Sequence, residues 1–298
     1  MDPHSFPAGL YVAATPIGHL ADISERVRQA LTHCDRIYAE DTRHTQALLS
    51  ALGISRKKHS LHALHDHNER TVRDDVVNAI ANGASVVLVS DAGTPAISDP
   101  GYLTVDAVWS AELPVCPLPG PSALTAAVSV SGFARWPLCF WGFAPAKSNA
   151  RREWLKGVAG HAGVAVLFEA PHRADESLGD CADVFGAQTK MLYARELSKQ
   201  HETLIRGSID TVQTTIAEMQ QRDPGAAKGE LVWVFDLGEP KQRSQNEEEL
   251  IAWAAALAGE MPAANAAKCL VKRLGVDRNT AYQAVLNARA DAAAPNDD

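Results

Sequence analysis

Ser90-Asp91-Ala92-Gly93-Thr94-Pro95-Ala96-Ile97-Ser98-Asp99-Pro100-Gly101 follows the apolar run 86–89, and together they decide the fold. A continuous apolar run reads as a strand buried on both faces, the habit of a parallel sheet. Small, turn-forming residues at its carboxyl end stand where open α/β sheets bind ligands. They let the backbone approach a ligand closely, while Asp91, Thr94 and Asp99 add polar groups. The same composition also suits a long surface turn built on Asx and proline chemistry.

Outward from that stretch the chain alternates strand and helix patterns. Residues 10–14 read as a strand ending in the turn Thr15-Pro16-Ile17-Gly18. Asp22, with Glu25 three residues on, reads as the cap of a helix whose apolar face is Ile23, Val27, Ala30 and Leu31. Residues 36–39 read as a strand, 42–52 as a helix stopped by Gly53, and Val72, Val76 and Ile80 mark a helix closed by Gly83. This alternation predicts an α/β architecture. The cluster Pro117-Leu118-Pro119-Gly120-Pro121 reads as a hinge. After it come a helix at 122–130, strands at 138–143, 164–168, 191–194 and 231–235, and helices at 174–185 and 209–220. The expected organisation is two α/β domains, 1–120 and 121–238, then a polar linker at 239–246. A small helical domain follows at 247–290, with helices at 247–258, 263–274 and 279–290, and the last eight residues read as a frayed tail.

The bulk composition suits this plan. The 298 residues are 46% hydrophobic and 21% charged, enough for two buried cores and an appendage. A net charge of −8 argues against a general nucleic-acid coat protein but leaves room for a local basic patch. Five scattered cysteines without a Cys-x-x-Cys pair suit reduced thiols in the cytoplasm. No run of about 18 apolar residues predicts a membrane span, and no secretory signal is read at the N-terminus. The histidines 59, 62, 65 and 67 have metal-like spacings, but nothing completes a site. They read as a polar surface loop, and no metal is expected.

Residues 13–20 occupy the position of a phosphate loop but lack Gly-x-Gly-x-x-Gly and the Walker lysine, which disfavours dinucleotides and nucleoside triphosphates. Glu40-Asp41-Thr42-Arg43 crowds charge at a strand end; Asp41 or Thr42 can be a helix cap, or the group can bind substrate. Glu169, His172 and Arg173 follow one strand, and Arg195, Glu196, Ser198, Lys199 and Glu202 another. If the partner is RNA, Arg173, Arg195 and Lys199 are suitable phosphate ligands. Lys147, Arg151 and Arg152 form a further cationic stretch. Between 263 and 290, Lys268, Lys272, Arg273, Arg278 and Arg289 face one acid, Asp277, and helices around Gly275-Val276 suggest a helix-turn-helix-like unit.

In order and spacing, several stretches resemble the tetrapyrrole methylase superfamily, and more closely its ribosomal-RNA branch. They are Thr15–Gly18, Ala39–Arg43, 89–101, Leu118–Ala123, Phe143-Ala144-Pro145, Phe168–Arg173, Ala194–Leu197 and Lys228-Gly229-Glu230. The resemblance implies S-adenosyl-L-methionine in a cleft between the two α/β domains. It places cofactor contacts at Pro16, Ala92, Gly93, Thr94 and Ile97, at Ser122 and Ala123, and at Phe168, Glu169 and Gly207. Porphyrin-type members carry Gly-Gly-Asp-Pro where this chain has Ala92-Gly93-Thr94-Pro95, which favours the ribosomal branch. His19 stands where that branch commonly has asparagine, and Ser198 where it has threonine. The branch implies 2′-O-methylation of a cytidine ribose in 16S ribosomal RNA, with the small ribosomal subunit as partner, and a homodimer. A base near the 2′-hydroxyl would assist transfer; Asp91, Asp41, Glu40 and Glu196 are candidates, unranked. Arg43, Arg173, Arg195 and Lys199 would hold RNA phosphates, joined by Lys272 and Arg273 of the helical domain. Two other readings stay open: a tetrapyrrole-precursor C-methyltransferase, and a non-catalytic RNA-binding assembly factor.

Overall fold

The computed structural model describes residues 6–56, 60–223, 225, 228–239 and 245–293, in two compact units, 1–239 and 240–298. The first unit holds two five-stranded sheets. Its first sheet contains β1 (Gly9–Ala13), β2 (Arg36–Ala39), β3 (Leu61–Ala63), β4 (Ser85–Val89) and β5 (Val115–Leu118), all parallel, in the order β3-β2-β4-β1-β5. All five residues of β4 are buried, as its unbroken apolar run requires. Side chains alternate between faces. Val87 and Val89 meet α1 (Glu25–His33) and α2 (Thr42–Ala51) through Val27, Leu31 and Leu49. Val86 and Leu88 meet α3 (Glu69–Ala81) and α4 (Tyr102–Ser110) through Val76, Ile80 and Val108. Helices on both faces leave only the carboxyl ends of the strands open, which is where such sheets bind ligands.

Two sequence expectations change here. The cap of α1 is Ser24, whose hydroxyl accepts from the Val27 N–H at 3.2 Å, and not Asp22. Asp22 lies outside the helix and accepts a hydrogen bond from Ser198 instead. The stretch expected to be a hinge begins as β5, which pairs with β1 along Val115 to Leu118. Its proline is tolerated because β5 is an edge strand.

The second sheet contains β6 (Leu138–Phe143), β7 (Val164–Glu169), β8 (Lys190–Arg195), β9 (Thr203–Ser208) and β10 (Leu231–Asp236), in the order β6-β7-β10-β8-β9. Only β6 and β7 pair in parallel; the rest is antiparallel. Helix α5 (Ala123–Ser131) leaves the first sheet and covers one face of the second, with Ala127 against Val166, Ala194 and Val232. The other face packs on α6 (Ser148–Gly160), α7 (Ala174–Phe185) and α8 (Ile209–Arg222), with Leu155, Leu178 and Val212 around Trp233 and Phe235.

The cationic stretch at 147–152 proves to open α6, and its arginines are engaged within the protein. Arg151 is fully buried, with Nε donating to Asp180 at 2.7 Å and Nη2 within 2.9 Å of Glu176. Arg152 pairs with Asp180 and Asp183 at 3.2 and 2.5 Å. The histidine cluster also differs from a surface loop. His62 lies on β3 and stacks on Tyr38 with ring centroids 4.9 Å apart, and His59 lies outside the described residues.

The second unit is three helices: α9 (Gln245–Ala258), α10 (Ala263–Leu274) and α11 (Arg278–Ala293). Small residues such as Ala254, Ala266, Ala267 and Ala281 let them pack closely around Leu250, Leu270 and Val285. Gly275, at φ 69°, ends α10 in the left-handed conformation that glycine adopts without a Cβ penalty. Asp277 then caps α11 by accepting from the Asn279 and Thr280 N–H groups, both at 3.0 Å. Most of the expected linker, 240–244, and the end of the expected tail, 294–298, lie outside the described residues.

Candidate active site

Hydrogen bonds tie the strand-end loops of the first sheet together. Thr15 and Gly93 exchange backbone hydrogen bonds at 2.8 and 3.0 Å, and the Thr94 hydroxyl donates to the Pro121 carbonyl at 3.1 Å. Ala96 and Ser98 hold left-handed φ values of 65°, a conformation that costs non-glycine residues energy and clusters at functional loops. On the facing side, a Cβ at Gly142 of β6 would come within 3.3 Å of Ser98 Oγ, so the second sheet approaches this loop closely.

Between them lies a cavity of about 370 Å³. The first sheet lines it with Glu40, Asp91, Ala92, Gly93, Thr94 and Ile97, all expected from sequence. Ser122 and Ala123 at the start of α5, and Phe168 and Glu169 at the end of β7, complete the expected set. The wall also contains Ser98, Asp99, Phe143, Leu197 and Glu230, to which the sequence reading gave no specific role. A clue to Phe143 was available: it is an aromatic ending a strand, and it is 53% exposed.

Other expected site residues fall elsewhere. Pro16 is half-buried beside the cavity, with its neighbour Ile17 in the wall. Gly207 faces Met191 across the β8–β9 pair, whereas the cavity lies at the Arg195 end. Four residues along a strand is about 13 Å, so Gly207 is displaced from the cleft. Its Cβ would meet Thr211 at 3.2 Å, a packing reason for glycine there. Arg195 is buried and donates to the carbonyls of Lys228, His201 and Gly225 and to the Thr203 hydroxyl, so its guanidinium is not presented to a phosphate. Lys199 bridges Glu196 and Glu230, both at 3.0 Å. Arg173 is held by Glu169 at 2.5 Å and donates to the Ala144 carbonyl. Arg43 remains 88% exposed while it grips Asp41.

The carboxylates differ sharply in their partners. Arg43 holds Asp41 well below the ordinary carboxylate range. Asp91 accepts from the Asp41 N–H at 3.0 Å and pairs with His44 at 2.7 Å, a bond that raises the imidazole. Burial pushes Glu40 up, against its hydrogen bond from the Asp91 N–H at 3.2 Å. Burial also acts to raise Glu196, but the Glu230 N–H and Lys199 outweigh it and leave that group lowered. Asp99 is pushed up to about 7 by burial and then by the neighbouring Glu40 charge, with a Ser90 hydrogen bond opposing.

A latch crosses one end of the cleft. The His19 N–H donates to Ser198 Oγ at 3.3 Å, and the Ser198 hydroxyl donates to Asp22. Gly18 packs so tightly there that a Cβ would lie 2.6 Å from the Ser198 carbonyl carbon and oxygen. His19 Nδ1 accepts from the Ala21 N–H at 3.2 Å, so the histidine caps this turn with a side-chain acceptor.

Residues 9–213 match the model of the family described as Tetrapyrrole (Corrin/Porphyrin) Methylases. The chain belongs to that family. Residues 244–289 match a second model, described as RsmI C-terminal HTH domain. The chain is similar to "Ribosomal RNA small subunit methyltransferase I" of Xylella fastidiosa (strain Temecula1 / ATCC 700964), at 42% identity over 278 residues, 93% of this chain and 99% of the relative. It is similar to the protein of the same name from Escherichia coli O157:H7, at 38% identity over 277 residues, 93% and 94%. Among solved structures, diphthine synthase superposes with a TM-score of 0.55 at 16% identity, covering 76% of this chain and 88% of that one. That likeness speaks for the fold alone.

This tetrapyrrole methylase is therefore a methyltransferase, and its methyl donor is S-adenosylmethionine. The cleft fits that cofactor. Glu40, Asp91, Asp99, Glu169 and Glu230 line it, with no lysine, arginine or histidine in the wall, which suits a positively charged sulfonium. Phe143, Phe168 and Ile97 offer apolar surface, and Gly93, whose Cβ would meet Ile17 at 3.3 Å, keeps the backbone accessible. Bound there, the cofactor supplies an electrophilic methyl group on sulfur. The chain's own part is to orient that group and the acceptor in line and to exclude water.

Proposed function

We propose that this chain methylates the 2′-hydroxyl of a cytidine ribose in 16S ribosomal RNA, acting within the small ribosomal subunit and as a homodimer. The full-length similarity to proteins named for small-subunit ribosomal RNA methylation carries this reading. The cleft chemistry supports it against a tetrapyrrole precursor. Such precursors carry several carboxylates, which a wall of five acids would repel, whereas a ribose hydroxyl is neutral. RNA phosphates stay outside the cleft in this reading. Arg43 at its mouth and the exposed Lys272 of the helical unit are suited to them. Arg273 is exposed too, but its guanidinium lies over the Trp253 ring at 4.5 Å.

The test compares three acceptors: isolated small subunits, naked 16S ribosomal RNA and a tetrapyrrole precursor. Ribose methylation of the first, read by mass spectrometry of nucleosides, is the expected result. Methylation of the tetrapyrrole alone, or cofactor binding without any transfer, refutes the reading. Lys272→Ala in the full chain is expected to weaken RNA binding at all sequences. It should also flatten the salt dependence of log K by about one unit of slope, as titrations at several salt concentrations would show.

A further inference from the structure

Of the carboxylates around the cleft, all but one are committed to a cation or a backbone N–H. Asp41 chelates Arg43 through both oxygens. Asp91 holds His44 and the Asp41 N–H. Glu169 accepts from Arg173 and from the Ala170 N–H at 2.7 Å, and Glu196 and Glu230 share Lys199. Glu40 receives the Asp91 N–H and so fixes the loop's backbone. Asp99 is the exception. Among the described residues it forms no ion pair, and its hydrogen-bond partner is the Ser90 hydroxyl. It stands in the cavity wall immediately after the left-handed Ser98 and before the buried Pro100, so the loop fixes where it points.

We propose that Asp99 is the proton acceptor of the transfer, which rests on the ribose-methylation reading given above. As the ribose oxygen forms its bond to the methyl carbon, the carbon–sulfur bond breaks and its electron pair stays on sulfur. The 2′-hydroxyl proton passes to a carboxylate oxygen of Asp99 and later leaves to water. Charge balances: the sulfonium loses its positive charge, and the carboxylate loses its negative one. A base acts well when its proton affinity lies near the working pH, and the surroundings of Asp99 meet that condition. Glu40 and Asp91 face it from the ends of β2 and β4, Asp66 from the loop before α3, and Ser90 from its own loop. These neighbours are acids and a hydroxyl, which hold the proton on Asp99 until a cation enters the cleft. A bound sulfonium then draws Asp99 toward its ionised, basic form.

Two measurements test this on the full chain. In calorimetry with S-adenosylmethionine at pH 7, in buffers of different ionisation enthalpy, the wild type is expected to release about half a proton on binding. Asp99→Asn should bind within about threefold of wild type and release none. In methylation assays Asp99→Asn should lose roughly 10²–10³-fold in kcat and the acid limb near pH 7, and Asp99→Glu should recover part of both. Three results overturn the proposal: activity and pH profile unchanged in Asp99→Asn, cofactor binding lost together with activity, or the acid limb removed instead by Glu40→Gln. If the wild type fails to methylate ribosomal RNA, the functional reading fails first, and the proton-release measurement still reports on Asp99.

Discussion

Arg151→Met is expected to destabilise the first unit by about 3–5 kcal/mol, the cost of leaving a buried carboxylate without its cation. Arg151 is fully buried and contacts Asp180 through Nε and Nη2 at 2.7 and 2.6 Å, while Asp180 is itself 93% buried in its side chain (7% exposed). Removing the guanidinium strands that carboxylate beneath α6 and α7. Chemical denaturation should show a lower midpoint with an unchanged slope, and the double variant Arg151→Met/Asp180→Leu should recover part of the loss. The pair also carries a pH signature. Burial acts to raise Asp180, but Arg151, Ser148 and Arg152 prevail and hold it below its ordinary 3.8. A carboxyl depressed in the folded state stabilises above its unfolded value, and that contribution is lost as pH falls through the folded value. Wild-type stability should therefore fall below about pH 4, and the Asp180→Leu background should lack this component.

Gly18→Ala is expected to leave the fold intact and to lower methyl transfer by roughly 10²-fold, the scale set by misplacing a reacting group by about 1 Å. A Cβ there would sit 2.6 Å from the Ser198 carbonyl, so the loop carrying Ile17 and the loop carrying Leu197 must separate. Both side chains are in the cavity wall. Thermal melts close to wild type, together with a large loss in kcat, would show a fault of alignment. Ser198→Ala, which removes the latch bonds without a clash, should cost much less. Equal losses in the two variants would show that the hydrogen bonds, and not the close approach, hold the cleft.

Much of this architecture is legible in the chain. Strands β2 and β4 follow from apolar runs bounded by turn residues, and β6, α7 and α10 lie where the pattern puts them. The strand-end loops of the first sheet pointed to the cleft because small residues follow a buried strand. Other parts were hidden for physical reasons. Strand β9 reads Thr-Leu-Ile-Arg-Gly-Ser; as an edge strand it leaves Leu204 exposed, so no continuous apolar run marks it. Helix α6 was masked by Arg151 and Arg152, because burial of a guanidinium depends on acids about 30 residues further on. Arg195 looked like a phosphate ligand because its carbonyl partners come from loops that periodicity does not reveal. Asp99 sits in a Ser-Asp-Pro-Gly stretch that any surface turn could share; only folding shows it buried among acids.

The acidic lining of the cleft has one more consequence, for turnover. Five carboxylates attract the donor while its sulfur is positive. Once the methyl group has gone, the spent cofactor carries no charge at sulfur, and the same wall no longer favours it over water. The attraction that loads the enzyme switches itself off with the chemistry. Exchange of used for fresh donor is thereby biased forward, without any part of the protein having to move.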